Sequence, residues 1–288
     1  MMVARPHIEF IQSQVLPFRK GLYGGARPEV DVRTLSIDAE HGDSSTQIIW
    51  PAGFSRAEPE YVAADEEFFV LQGELEINGV IYRKHDYAHL PRGFLRRTQS
   101  SAKGAVTLTF FSAEPQFVKS DRAGNNFDPK RLVEHIDTRA HGRMTNVAEA
   151  FNTPGWDPTG SFHKDLYTDP YTGERTWLIG MAPHWSTGLC EVHPVVEEEY
   201  SILGDLCFPM GNFRDGAYFW RPPGIQHGPF STWGGTLHLV RCRGGPFATK
   251  WHDSGGAEWF PNYTPILPPE YQGYVDRAKD NNSREPNY

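Results

Sequence analysis

No stretch of about 18 consecutive apolar residues occurs in the sequence, so none of it reads as a membrane-spanning helix. The first residues, MMVARPHIEF, lack the apolar core of a signal peptide, and a cytoplasmic location is expected. Cysteine is scarce. Cys190, Cys207 and Cys242 are odd in number, widely spaced and form no CxxC pair, which argues against a disulfide scaffold or a zinc ribbon. Clustered basic charge is missing as well. The net charge is −8, the pI is about 5.8, and RGFLRR near Arg96 is too short to track a phosphate backbone. Nucleic acid is therefore not an expected partner.

Long amphipathic helical periodicity is also absent. What stands in its place is glycine (28), proline (23) and 13% aromatic residues, a mixture that favours short strands joined by turns and hence an all-β class. The 288 residues leave room for two domains.

The most informative pattern is an internal repeat. Shifting the sequence by 131 residues places Glu60 on Glu191, Glu66 on Glu197, Gly73 on Gly204, Tyr87 on Tyr218, Pro91 on Pro222 and Gly93 on Gly224. Upstream, Leu35 falls on Leu166 and Asp38 on Asp169 in the same register. Each copy predicts a strand (Thr46–Trp50; Arg175–Met181) and a second strand (Glu67–Leu71; Glu198–Leu203) ending at a glycine turn. Short strands follow (75–77, 80–82; 206–208), and an alternating strand closes the copy (105–111; 236–242). Residues 121–160 are richer in polar and turn types and predict a bridge between copies, with one short helix near 144–151. After Pro268 the tail is polar, and its end is expected to be mobile.

In the second copy, Glu191-Val192-His193 is followed by three residues, Glu197, six residues and Gly204. Gly216, five residues and Pro222-Pro223-Gly224-Ile225-Gln226-His227 come next. At these positions the chain resembles the cupin superfamily, whose signature is G(X)5HXH(X)3–4E(X)6G and then G(X)5PXG(X)2H. Glu191 departs from it, standing where the family usually has its first histidine. VHPVVEEEYSILGD with GAYFWRPPGIQHGPF looks most like the cupin of ChrR-type anti-sigma factors, and is similar to the acetylacetone-cleaving dioxygenases.

The resemblance implies two tandem cupin barrels (double-stranded β-helix, or jelly roll), making the chain a bicupin. The expected organisation is a degenerate N-terminal barrel over 1–120, a connecting segment over 121–160, a metal-binding barrel over 161–265 and a polar tail over 266–288. The first copy keeps Glu60 and Glu66 but has Val62 in place of His193 and Arg96 in place of His227. Two carboxylates beside a cation predict a salt-bridged pocket without metal.

In the second copy, Glu191 and His193 are two apart on a strand and project to one face, while Cys190 points away. Two nitrogens and two carboxylate oxygens, at about 2.0–2.2 Å, suit one divalent ion such as zinc, iron or manganese. If Glu191 does not ligate, His193, Glu197 and His227 remain a 2-His-1-carboxylate set with open positions, the pattern of non-haem Fe(II) oxygenases. The competing reading is a set of barrel-lining polar residues bonded to one another. His238, on the closing strand, is either a pocket acid/base or a satisfied core histidine. His184 and Trp185 belong to a pocket rim or a surface turn. Of Tyr200, Phe208, Phe213, Tyr218, Trp220, Phe230 and Trp233, most are expected in the core and a minority in a substrate pocket.

The functional expectation is a metal-dependent dioxygenase acting on a small carbonyl, enol or phenolic substrate, with Glu191 and His238 as candidate catalytic residues. The alternatives are a metal-dependent hydrolase, isomerase or lyase, and a non-catalytic small-molecule-binding or sensor cupin. Monomer and homodimer are both compatible with the sequence.

Overall fold

The structure is a computed structural model and describes residues 5–140, 145–146, 160–257, 259 and 261–282. The chain forms two units. One comprises Val3–Arg5 and Pro17–His141, the other Pro6–Leu16 and Gly142–Tyr288, with Met1–Met2 assigned to the latter. Each is an all-β cupin barrel, and the two share one strand order.

In the first, the strands run 133–137, 86–90, 66–77, 105–111, 44–50, 31–37 and 19–20 in spatial order. In the second they run 8–12, 217–221, 196–208, 236–243, 175–181, 161–168 and 145–146. Shorter strands branch from the long central one in both. The repeat extends to turn chemistry. Gly42 N–H donates to the Asp38 carbonyl (2.7 Å), as Gly173 does to Asp169 (3.0 Å), and each aspartate also caps the residue two positions on. Tyr87 donates to Glu67 in the first barrel, and Tyr218 to Glu198 in the second.

Where turns are expected at Gly73 and Gly204 the strands continue uninterrupted, Glu66–Ile77 and Val196–Phe208, each with a bulge two residues before the glycine. Both glycines have positive φ (76° and 87°), and a Cβ on either would collide with the carbonyl of Gly104 or Gly235 opposite.

Three boundaries differ from the expected organisation, for one reason: a barrel's edge strand needs a hydrogen-bonding partner. Val133–Asp137, expected in the connecting segment, pairs with Asp86–Leu90 of the first barrel. Ile8–Gln12, expected in the first barrel, pairs with Ala217–Arg221 of the second. The tail docks on that arm: Ile266 and Glu9 exchange two backbone hydrogen bonds of 2.8 Å, Leu267 and Ala278 are buried, and short helices span Pro269–Gln272 and Val275–Asn282. The helix expected near 144–151 lies largely outside the described residues; Thr145–Asn146 form a strand against His163 and Phe162. No described helix is long and apolar enough to cross a membrane.

In the first barrel Asp65 is a buried charge with dense partners. It accepts from the Arg92 backbone (2.9 Å) and side chain, and from Arg131 Nη1 (3.0 Å). Burial alone would raise its pKa, but the bonds from Arg92 and the charge of Arg131 outweigh it and hold the carboxyl well below the usual range. A depressed folded pKa contributes stability above the unfolded value of 3.8, lost as the pH falls below it. Asp65→Asn is expected to lower stability at pH 7 by about 3–5 kcal/mol and to flatten the acid limb, measured by urea unfolding between pH 7 and 3.

Candidate metal centre

The second barrel assembles its polar cluster from three places in the chain. Glu191 lies on a short strand, Leu189–Val192, that pairs with Lys250–Asp253. His227 arrives through the Pro-Pro-Gly corner, where Gly224 has φ 82° and donates to the His193 carbonyl (2.9 Å). Glu191 and His227 then exchange backbone hydrogen bonds of 2.8 and 3.0 Å, an isolated antiparallel bridge that puts their side chains on one face. Glu197 comes from the central strand. Alternation along it turns Glu197 and Glu199 to the cavity, while Glu198 bonds Tyr218 and Arg241 instead.

Ligand atoms of Glu191, His193, Glu197 and His227 all lie within 4.8 Å of one another. The Nε2 of His227 stands 3.2 Å from Glu197 and 3.4 Å from Glu191; that of His193 stands 3.6 and 3.7 Å from the same carboxylates. Each ring's Nδ1 lies within hydrogen-bond distance of a backbone carbonyl, Ala248 for His193 (3.0 Å) and Ile225 for His227 (2.9 Å). With the proton on Nδ1, each Nε2 lone pair faces carboxylate oxygens, and both Nε2 atoms are buried without a hydrogen-bond partner among the described residues. Such an electron-rich cage suits a cation, whether a proton or a metal ion. Burial and Arg221 push the His227 pKa down, but Glu197 and Glu191 bring it up to about 10, so a proton and a metal ion compete for this lone pair. Burial would likewise raise Glu197, yet His193, His227 and Arg221 hold it far below the carboxylate range. Donor types, convergence and the two orphaned nitrogens fit a divalent metal.

A cavity of about 60 Å³ opens on the cluster. Trp177, Trp185, Phe208, Phe230, Phe247 and Trp251 supply aromatic walls, with Val240, Ile179 and Leu206. Trp185 is thus a pocket residue, whereas His184 is exposed beside Trp233. Phe208 and Phe230 are the two aromatics of the expected set that line it. His238 does not line the cavity: it is fully buried and bonds Glu199 and Thr236 through short contacts, so Glu199 is the carboxylate presented to the cavity and His238 stands behind it.

Sequence reasoning missed Glu9, Arg221 and the walls Trp177, Phe247 and Trp251. The alternation of Trp177, Ile179 and Met181 could have shown the inward row of that strand. Phe247 and Trp251 lie beyond the motif, and Glu9 lies more than 200 residues before Arg221, which it grips.

The equivalent place in the first barrel is ion-paired. Arg96 pairs with Glu66 and Arg27 with Glu60 through short contacts, and Gln99 Nε2 donates to Glu60 (2.7 Å). Val62 is buried where the second barrel has His193.

The fold of both units is a cupin-type jelly-roll barrel. The chain belongs to the family described as domain of unknown function (DUF4437), whose model matches residues 20–248. No curated protein matches it. Among solved structures, a Nostoc punctiforme protein provisionally described as a dioxygenase is similar over 82% of each chain, at 18% identity and a TM-score of 0.71. A tryptophan-to-tyrosine variant of Bacillus subtilis oxalate decarboxylase is similar over 84% of this chain and 78% of its own, at 13% identity and 0.50. A tryptophan-to-tyrosine variant of salicylate 1,2-dioxygenase from Pseudoaminobacter salicylatoxidans is similar over 69% of this chain and 70% of its own, at 12% identity and 0.47. At these identities the likeness is one of fold.

Proposed function

We propose that the second barrel is a metal-dependent dioxygenase centre for a small carbonyl or enol substrate. The observation that carries this reading is the pair of buried, unpartnered Nε2 atoms facing Glu191 and Glu197 at the end of an aromatic cavity. His193, Glu197 and His227 would hold the ion, with Glu191 as a fourth ligand or a general base. A bound ion would supply Lewis-acid polarisation of a substrate oxygen and, if iron, activation of O₂. The resemblance of this barrel to ChrR-type cupins and acetylacetone-cleaving dioxygenases belongs to the same proposal.

The chain's own residues narrow the substrate. The cavity of about 60 Å³ suits a small molecule. Arg221 is the one cation among the lining residues, and it is committed to Glu9 and Glu197. Apart from the ion itself, a substrate carboxylate would find no free positive side chain, so a substrate without a further anionic group suits the cavity better. Glu199, backed by His238, offers an acceptor for an enol or hydroxyl proton.

Oxygen uptake by iron-reconstituted protein, with a panel of β-dicarbonyl and phenolic compounds, tests the reading; uptake matched to loss of a small β-dicarbonyl is the expected result. Val240→Phe, which fills the cavity, is expected to retain the metal and to lower uptake by roughly tenfold or more. Absence of uptake with iron, manganese and zinc alike would overturn the dioxygenase assignment. A second reading rests on Glu191, which stands within 0.2 Å of Glu197's own distances to the imidazoles (3.4 and 3.7 Å against 3.2 and 3.6 Å). Four ligands closing around zinc would suit a hydrolase, isomerase, lyase or ligand-binding sensor, and tightly held zinc on metal analysis would favour it.

A further inference from the structure

The arm strand Ile8–Gln12 fills a place that has an exact counterpart in the first barrel. Ile8, Ile11 and Gln12 pair with Trp220, Tyr218 and Ala217. Val133, Ile136 and Asp137 pair with His89, Tyr87 and Asp86, the same positions one repeat earlier. Both edges carry an irregularity at the same point, so Glu9 corresponds to Glu134 and Arg221 to Leu90.

The two edges differ in chemistry. Glu134 is exposed and Leu90 is buried hydrocarbon. Glu9 and Arg221 are each 2% exposed and form a two-pronged ion pair: Arg221 Nε and Nη2 donate to the two oxygens of Glu9. The remaining Nη1 donates to Glu197 Oε2 at 2.6 Å, while Glu197 Oε1 faces His193. The guanidinium lies 3.6 Å from the centroid of Phe219, which fixes its plane. The arm is itself anchored by the Glu9–Ile266 backbone pair and by Tyr263 Oη, which donates to the Phe10 carbonyl at 2.7 Å.

A buried ion pair is a poor stabilising device, because desolvation offsets most of the attraction, and the first barrel closes the same edge without one. The pair occurs in the barrel that holds the His/Glu cluster, and its third bond ends on a member of that cluster. We propose that Glu9 tunes the metal centre through Arg221: it cancels the charge that Arg221, bonded to Glu197, would otherwise oppose to a bound cation. This rests on the cluster being a metal site, as proposed above. Arg221 paired with Glu9 donates a hydrogen bond to Glu197 with little net charge. Without Glu9 the same guanidinium is a full cation beside a ligand oxygen, competing for Glu197 and repelling the ion.

The test is calorimetric titration of metal-free protein with Mn²⁺ and with Zn²⁺. Glu9→Gln is expected to bind either ion roughly 10- to 100-fold more weakly than wild type, the range for loss of a group that supports a metal ligand. Glu134→Gln, the same change at the equivalent edge, should leave affinity unchanged. The double variant Glu9→Gln with Arg221→Met replaces the ion pair by a neutral one and should recover affinity to within about threefold of wild type, since the unopposed cation is gone. A purely structural arm predicts the reverse, with the double variant at least as weak as the single. If Glu9→Gln does not fold, the double variant decides alone: affinity near wild type supports the inference, and a loss of tenfold or more overturns it. Equal binding by wild type and Glu9→Gln overturns this inference and leaves the metal site standing. Failure of wild type to bind either ion overturns both.

Discussion

Purified without added metal, the chain is expected to carry close to one equivalent of a divalent ion, and His227→Ala roughly a tenth of that or less. The physical reason is the orientation of the two imidazoles. Each ring directs Nδ1 to a backbone carbonyl, so its rotation is fixed and Nε2 is the donor left for a ligand. Removing His227 takes away one of two neutral nitrogens and leaves a carboxylate-rich set that transition ions favour less. Elemental analysis by plasma mass spectrometry checks the stoichiometry. Thermal unfolding gives a second readout: metal at about 100 times its Kd should stabilise wild type by about 2.7 kcal/mol and the variant by almost nothing. Metal-free wild type with an intact fold would remove the basis of the site.

Phe10→Ala is expected to destabilise the second barrel by about 3–5 kcal/mol, although residue 10 precedes the first barrel in the chain. Phe10 is fully buried, edge-on to Phe208 and Phe213 at 5.7 and 5.1 Å and 5.5 Å from Tyr263. Its loss opens a cavity in the core that backs the His/Glu cluster, an effect comparable to a large part of a domain's stability. Hydrogen exchange followed by mass spectrometry locates the damage. Protection should fall in the strands 196–208 and 217–221 and persist in 66–77 and 105–111. A uniform loss across both sets, or loss confined to the first barrel, would contradict the assignment of the arm.

Much of this was legible because it is local or repeated. Strands Arg175–Met181 and Ala105–Phe111 follow from apolar alternation, and the observed spans coincide with those expected. The four cluster residues were legible through their resemblance to the cupin signature, while local geometry alone placed only Glu191 and His193, two apart on a strand, on one face. The replacement of both imidazoles by Val62 and Arg96 likewise foretold the ion pair of Arg96 with Glu66. His238 shows the limit of such reading. Alternation gives its face, but only packing shows that Glu199 stands between it and the cavity. Gly73 and Gly204 show the same limit from the other side: the glycine marks a positive φ, which a turn and a strand continuing past a bulge share, and the facing strand decides between them.

By itself, then, the sequence determined two copies of one barrel and which copy keeps histidines among its carboxylates, because periodicity, turn chemistry and ligand spacing are properties of short segments. Tertiary structure alone decided that the first strand of the chain completes the second barrel, and that Glu9 reaches Glu197 through Arg221. An edge strand accepts any extended segment with a suitable apolar face, whatever its place in the chain. A contact across 212 residues leaves no periodic trace in either partner.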